Sequence, residues 1–284
     1  IGTLLALFLA KFFVKPIVKI IEAAESISKG DFSVKVIHQS NDEIGILGET
    51  INDMAVQLDK IERLRKEFIA NVSHELKTPI TLIKAYAEVV KDMDLGEQDE
   101  QQHLQVIIEE SDRLNDMVED ILYLSKMESG FSDLQYGEVS LDEVIDCIIE
   151  KLSYFASQKN IQIVMEIDAI RPIVYGDENK LYQVFYNIIN NAIHHSYENS
   201  KIFVKVFDMV EGLRIEIIDE GSGIPEEDLP HIWDRFYKVD KSRKRDESGT
   251  GLGMAIVKNI LEAHHFKYGI TSNIDQGTTV WIEI

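Results

Sequence analysis

The residue types at positions 74, 75 and 78 can carry phosphoryl chemistry. An imidazole is a nucleophile whose second ring nitrogen must give up its proton as the first one bonds. In Phe68-Ile-Ala-Asn-Val-Ser-His74-Glu75-Leu-Lys-Thr78-Pro79-Ile80 the histidine has a carboxylate beside it and a hydroxyl one helical turn on. Apolar residues recur at spacings of three and four through Ile44, Leu47, Ile51, Met54, Leu58, Ile61, Phe68, Val72, Leu76 and Ile83, broken only at Arg65. That is the pattern of a helix–helix seam. At roughly 100° per residue His74 falls about 200° from Val72, so its ring points away from the seam and is exposed. Pro79 removes the backbone donor that would bond the carbonyl of Glu75, so a bend is expected beside the histidine.

A second set of residues lies more than a hundred positions later. Asn187 and Asn191 stand one turn apart in a helical stretch, with their amide oxygens facing the same way. Asp219-Glu-Gly221-Ser-Gly223-Ile-Pro225 follows a strand pattern, its glycines permitting a tight turn and its aspartate able to accept from an exocyclic amine. Gly249-Thr250-Gly251-Leu252-Gly253-Met254 opens a helix, where unpaired N–H groups favour phosphate. Between these turns lie Trp233, Phe236 and Tyr237, and then Lys238, Lys241, Arg243, Lys244 and Arg245, a basic cluster suited to a triphosphate. Buried Asn pairs also serve as structural hydrogen-bonding groups, and neither glycine turn matches the P-loop or dinucleotide patterns.

These groups sit in a chain of 284 residues with a formal net charge of −21 and a pI near 4.7. So acidic a chain has no basic face for a nucleic acid. Cys147 is the one cysteine, which excludes an intrachain disulfide and fits a reducing cytosol. Residues 1–14 are almost wholly apolar. A full span needs about 20 such residues, so we read this run as the cytoplasmic end of a transmembrane helix, with Lys11 and Lys15 on the inner side.

The elements that must position the chemistry follow in order. An amphipathic helix from Pro16 closes near Gly30, and Ser40-Asn-Asp-Glu43 fits a capping box for the seam helix. That helix ends near Asp92 to Gly96; a second, about Asp99 to Ser129, carries Leu104, Ile107, Ser111, Leu114, Val118 and Ile121. The two make a hairpin that dimerises into a four-helix bundle. A boundary falls at residues 130–139, and Ser140-Leu-Asp-Glu143 fits a second capping box. Strand patterns lie at Ile161–Ile167, Ile202–Val206, Leu213–Ile217 and Thr279–Ile284, with helices to about Ser157 and near 178–195 and 252–264. The fold class is multidomain: all-α dimeric four-helix bundles, then an α+β two-layer sandwich with three helices on one sheet face.

Taken together, these blocks resemble the transmembrane sensor histidine kinases of two-component systems. Residues 15–60 resemble a HAMP linker, carried by Asp42-Glu43-Ile44-Gly45 with Asn52 and Met54. Residues 61–130 resemble a dimerisation and phosphoacceptor domain, and residues 131–284 the ATP-binding domain shared with gyrase, Hsp90 and MutL. Asn187 and Asn191 match the asparagine box, and Asp219, Gly221 and Gly223 the first glycine box. Phe236 and Tyr237 match the phenylalanine box, Gly249, Gly251 and Gly253 the second glycine box, and Gly277-Thr278 a last, reduced one.

The resemblance implies an ATP:protein-L-histidine phosphotransferase acting on His74, with Glu75 as base and Thr78 orienting a water for a reverse, phosphatase reaction. It implies ATP contacts at Asn187, Asn191, His194, Asp219, Gly221, Gly223, Phe236, Tyr237, Lys238, Gly249, Thr250, Gly251, Leu252, Gly253 and Thr278. Magnesium would be held by Asn191 with help from Asn187. The implied partners are a second copy of the chain, a cognate response regulator and the plasma membrane, with most of these residues cytoplasmic. Two departures stand out. His194-His195 replaces the Lys-Tyr or Lys-His often found there, and Asp275-Gln-Gly277 lacks the first glycine of its box. A clamp ATPase would need a catalytic carboxylate where Asn187 stands and gives His74 no role. A silent scaffold would leave the nucleotide motifs unexplained.

Overall fold

The computed structural model describes residues 2–3, 10–37, 42–93, 96–128, 134–239 and 250–284. The chain divides into two compact units, Ile1–His74 and Glu75–Ile284, and the division falls inside one helix.

In the first unit a π-helical turn, Ala10–Val14, leads into α1, Lys15–Ser28, which has Pro16 in its first turn, where a missing N–H costs nothing. Gly30 ends it with φ +89°. The following connector returns onto α2, Glu43–Asp92, and Val36 packs with Ile20, Ala23, Ile44 and Ile51. Asn52 fixes that connector at both backbone poles: it accepts from the Val36 N–H at 2.8 Å and donates to its carbonyl at 3.0 Å. The cap of α2 comes from Asp42, whose carboxylate accepts from the Gly45 N–H at 2.9 Å. Ser40 lies outside the described residues. Among the described residues no helix is long and apolar enough to cross a membrane.

α2 runs on through Pro79 as a continuous helix. In the second unit it is followed by α3, Glu97–Glu128. The α+β part then begins with β1 (Gly137–Ser140) and α4 (Leu141–Gln158), β2 (Gln162–Asp168), β3 (Ile173–Gly176) and α5 (Glu178–His195). It ends with β4 (Lys201–Asp208), β5 (Leu213–Asp219), α6 (Gly253–Ala263), β6 (Lys267–Ser272) and β7 (Thr278–Glu283). The main sheet has five strands in the order β2-β4-β5-β7-β6, parallel between β2 and β4 and antiparallel elsewhere.

One face of that sheet, through Ile202, Val204, Val206, Ile215, Ile217, Val280 and Ile282, packs against the apolar faces of α4, α5 and α6, as the alternating strand pattern requires. β1 and β3 form a separate antiparallel ribbon, which the sequence pattern did not reveal. The capping box expected at Ser140 is not made. The Ser140 hydroxyl turns to the carboxylate of Asp142 instead, leaving the helix start without a side-chain cap. α5 is capped by Asp177, whose carboxylate accepts from the N–H groups of both Lys180 and Gln135.

Candidate functional site

On α2 His74 is exposed, as the seam geometry requires, while Glu75 and Thr78 are half-buried and Pro79 is buried. Glu75, within the second unit, forms an ion pair with Lys238 at 2.9 Å.

The nucleotide motifs converge around α5. Asn187 donates from its amide nitrogen to the Gly253 carbonyl at 3.4 Å, tying the asparagine turn to the start of α6. Asn191 lies one turn on, half-buried. The end of β5 delivers Asp219, 8% exposed, whose Oδ1 accepts from the N–H groups of Gly221 at 3.0 Å and Thr278 at 3.1 Å. Burial pushes this carboxyl up to about 6, against the pull of those two donors. A buried aspartate held by one oxygen on the backbone leaves its other oxygen for a ligand donor.

The glycines are needed where two backbones meet. A Cβ on Gly223, at φ +65°, would stand 1.9 Å from the Asn273 carbonyl oxygen. One on Gly277, at φ +82°, would stand 1.9 Å from the Asp219 carbonyl oxygen. One on Gly221 would meet the His195 carbonyl at 2.3 Å. The glycine missing from the last box is replaced by an aspartate in the left-handed region: Asp275 takes φ +58°, and Tyr197 donates its hydroxyl to it at 2.8 Å. Asp is among the few residues that enter this region at modest cost.

The aromatic segment is locked to the second glycine turn. Phe236, itself at φ +62°, donates its N–H to the Gly251 carbonyl at 2.8 Å. Gly251, at φ +72°, leaves its would-be Cβ only 2.9 Å from the Phe236 Cα. Tyr237 hydrogen-bonds through its hydroxyl to Asp228. Thr250 accepts from the Leu252 N–H at 3.2 Å, and Leu252 is fully buried just ahead of α6. Gly249 and the cations at 241, 243, 244 and 245 lie outside the described residues.

Thr278 is buried, its hydroxyl 2.9 Å from that of Ser272. His194 is exposed and donates from Nδ1 to the Asn190 carbonyl at 2.8 Å, so its ring lies along its own helix. A cation that sequence reading missed stands nearby: Lys159 donates to the carbonyls of Ile193 at 3.2 Å and His194 at 2.8 Å, at the negative end of α5.

Asp120 on α3 was also unmarked in the sequence. It accepts from the Thr250 hydroxyl at 3.5 Å, and burial, followed by Asp116, pushes its carboxyl up to about 6. Met117 and Leu124, on the same face of α3, are fully buried in the core cluster that contains α6. Their spacing to Asp120, three and four positions, was present in the sequence but hidden beneath the seam stripe.

Three family models match this chain. HAMP domain covers residues 8–60, His Kinase A (phospho-acceptor) domain residues 64–130, and Histidine kinase-, DNA gyrase B-, and HSP90-like ATPase residues 176–284. The chain is similar to Sensor histidine kinase YclK of Bacillus subtilis (strain 168), 35% identical over 292 residues that cover 100% of this chain and 61% of that protein. It is also similar to Sensor protein kinase WalK of Staphylococcus aureus, 36% identical over 241 residues, 82% of this chain and 56% of that protein. The chain thus spans about three fifths of the length of these curated relatives.

Among solved structures, histidine kinase ThkA in complex with response regulator protein TrrA aligns with a TM-score of 0.62 at 26% identity, over 80% of this chain and 65% of that one. Histidine kinase AdeS of Acinetobacter baumannii aligns with a TM-score of 0.60 at 25% identity, over 74% of this chain and 96% of that one.

Proposed function

The chain belongs to the sensor histidine kinases of two-component systems, and from that membership we propose that it transfers the γ-phosphoryl group of ATP to His74 and then to an aspartate of a response regulator. The observation that carries the ATP side is that segments far apart in sequence meet along α5: Asn187 bonds the Gly253 carbonyl at the start of α6, and the turn after Asp219 bonds the His195 carbonyl at the end of α5.

In this reading the free oxygen of Asp219 accepts from the adenine amine, and the N–H groups of the first turn of α6 face phosphate. A bond forms between an imidazole nitrogen of His74 and the γ-phosphorus, and the bond from that phosphorus to the bridging oxygen breaks, releasing ADP. Glu75 takes the proton from the other ring nitrogen. Thr78 orients a water for regulator dephosphorylation, the role the family resemblance gives it.

Magnesium fits the donor set. The amide oxygens of Asn191 and Asn187 are hard ligands of the kind that share the ion with substrate phosphates. Among the described residues no cluster of three His, Cys, Asp or Glu side chains offers a protein cage for it. Bound there, the ion would neutralise phosphate charge; binding, orientation and proton transfer remain with the chain's own residues.

Membrane attachment rests on the apolar run at residues 1–14 together with the HAMP match. The homodimer rests on the apolar stripe of α2, where Leu47 is 47%, Met54 45% and Ile61 60% exposed. So large an exposed stripe on a helix calls for a second helix.

The test is incubation with γ-labelled ATP and magnesium. A kinase leaves the label covalently on the chain. A clamp ATPase releases it only as free phosphate, and that result would contradict the reading.

A further inference from the structure

The lysine expected at the phosphates is already occupied. Lys238 Nζ sits 2.9 Å from Oε2 of Glu75, and both side chains are about one-quarter exposed. That shielding sets the pair apart from the open surface pairs of α2, such as Arg63 with Asp59 and Lys84 with Glu88, which water screens.

Lys238 is also bound to the nucleotide segment. It lies two residues past Phe236, whose N–H is fixed to the carbonyl of Gly251, one residue before the turn that opens α6. A second carboxylate holds the other side of the same segment, through Asp120 on α3 and the Thr250 hydroxyl. Lys238 and Thr250 bracket residues 239–249 in sequence, so both flanks of that basic stretch are held by carboxylates of the helical hairpin. Around these contacts Leu76, Met117 and Leu124 pack into the nucleotide domain's core cluster, and Lys180 on α5 lies 4.1 Å over the ring of Tyr123 on α3.

We propose that the Glu75–Lys238 ion pair is an autoinhibitory contact for which nucleotide competes. Lys238 neutralises either the carboxylate beside the phosphoacceptor or the phosphates of a bound nucleotide. While Lys238 holds Glu75 it compensates the charge of that carboxylate and weakens it as a base, and the nucleotide site lacks one of its cations. Nucleotide phosphates draw Lys238 off and restore the full charge of Glu75. Substrate binding and exposure of the base are thereby one event. The inference rests on the kinase reading above and adds a regulatory contact to it.

A double-mutant cycle read by affinity tests it without using the reaction. The full chain is titrated with a non-hydrolysable ATP analogue and magnesium, comparing the parent with Glu75→Gln, Lys238→Gln and the double variant. Removing the competing carboxylate should tighten the analogue by about three- to tenfold, the fraction of molecules held in the paired state being released. Lys238→Gln should weaken it, and in that background Glu75→Gln should change nothing. Because Glu75 is partly exposed and its replacement is isosteric, Glu75→Gln should melt with the parent, and all four affinities are compared at a temperature where each protein is folded. Unchanged affinity in Glu75→Gln, or the same tightening with and without Lys238, overturns the proposal. A parent that binds no analogue at all is a different result, and it overturns the kinase reading along with this one.

Discussion

The carboxylate of Asp219, at the end of β5, accepts a hydrogen bond from the backbone N–H of Thr278, the first residue of β7, at 3.1 Å. Two neighbouring strands therefore aim one buried side chain, and Gly277 lets them approach closely enough to do so. The adenine end of the proposed site is built into the sheet itself.

Asp219→Asn keeps an oxygen for those two backbone donors and replaces the free oxygen with an amide nitrogen. An amine of the ligand then faces a donor, and a charged hydrogen bond worth about 1.5–3 kcal/mol is lost. Nucleotide affinity should fall roughly ten- to a hundredfold, with no loss of thermal stability at pH 8. Equilibrium titration beside a thermal melt checks both.

The pH dependence of binding follows from the same carboxyl. Burial raises it to about 6, and its ionised form is the better acceptor for an amine. Affinity should therefore be full above about pH 7 and decline as pH falls through 6, by up to tenfold per unit. Stability runs the other way. The folded protein holds this proton more tightly than a free carboxyl of 3.8, so the carboxyl favours the fold at low pH and that contribution is lost as pH rises through 6. Titrations from pH 5 to 8 should show the decline in the parent and its absence in Asp219→Asn. Asp120, which also titrates near 6, is common to both proteins and cancels in the comparison.

Gly277→Ala places a methyl 1.9 Å from the Asp219 carbonyl oxygen at a φ of +82°. The strand end must move, taking Asp219 with it. A cost of at least about 2 kcal/mol is expected, seen as a lower melting temperature, together with loss of nucleotide binding. Gly96→Ala, which would meet nothing within 4 Å, is the control that should leave nucleotide binding intact.

Thr78→Ala should keep autophosphorylation and lose dephosphorylation of the phosphorylated regulator. Timed decay of regulator phosphate, with and without the variant, measures this; an unchanged rate would remove Thr78 from the phosphatase step.

What the sequence displayed was whatever chemistry or periodicity writes locally. The exposure of His74 followed from a three/four seam, and the segments around Asn187, Asp219 and the glycines were readable because each carries its own turn or helix signal. β6 was missed because Gly269 interrupts its apolar pattern. In the fold that gap is filled by the indole of Trp281, which a Cβ at 269 would meet at 2.3 Å. β1 and β3 are four residues each, too short for a period to show. Ser140 looked like a cap by spacing, but Asp142 was nearer for its hydroxyl. The roles of Asp120 and of Lys238 as the partner of Glu75 depend on contacts across more than a hundred residues, and no window of sequence contains them.

The central claim is that His74 receives the γ-phosphoryl group. The most direct measurement is labelling with γ-labelled ATP and magnesium in the parent and in His74→Gln, with the label tested in acid and in base. The account predicts label on the parent that is lost in acid, survives base and is absent from His74→Gln. Equal label on the variant, or label stable to acid, would contradict it.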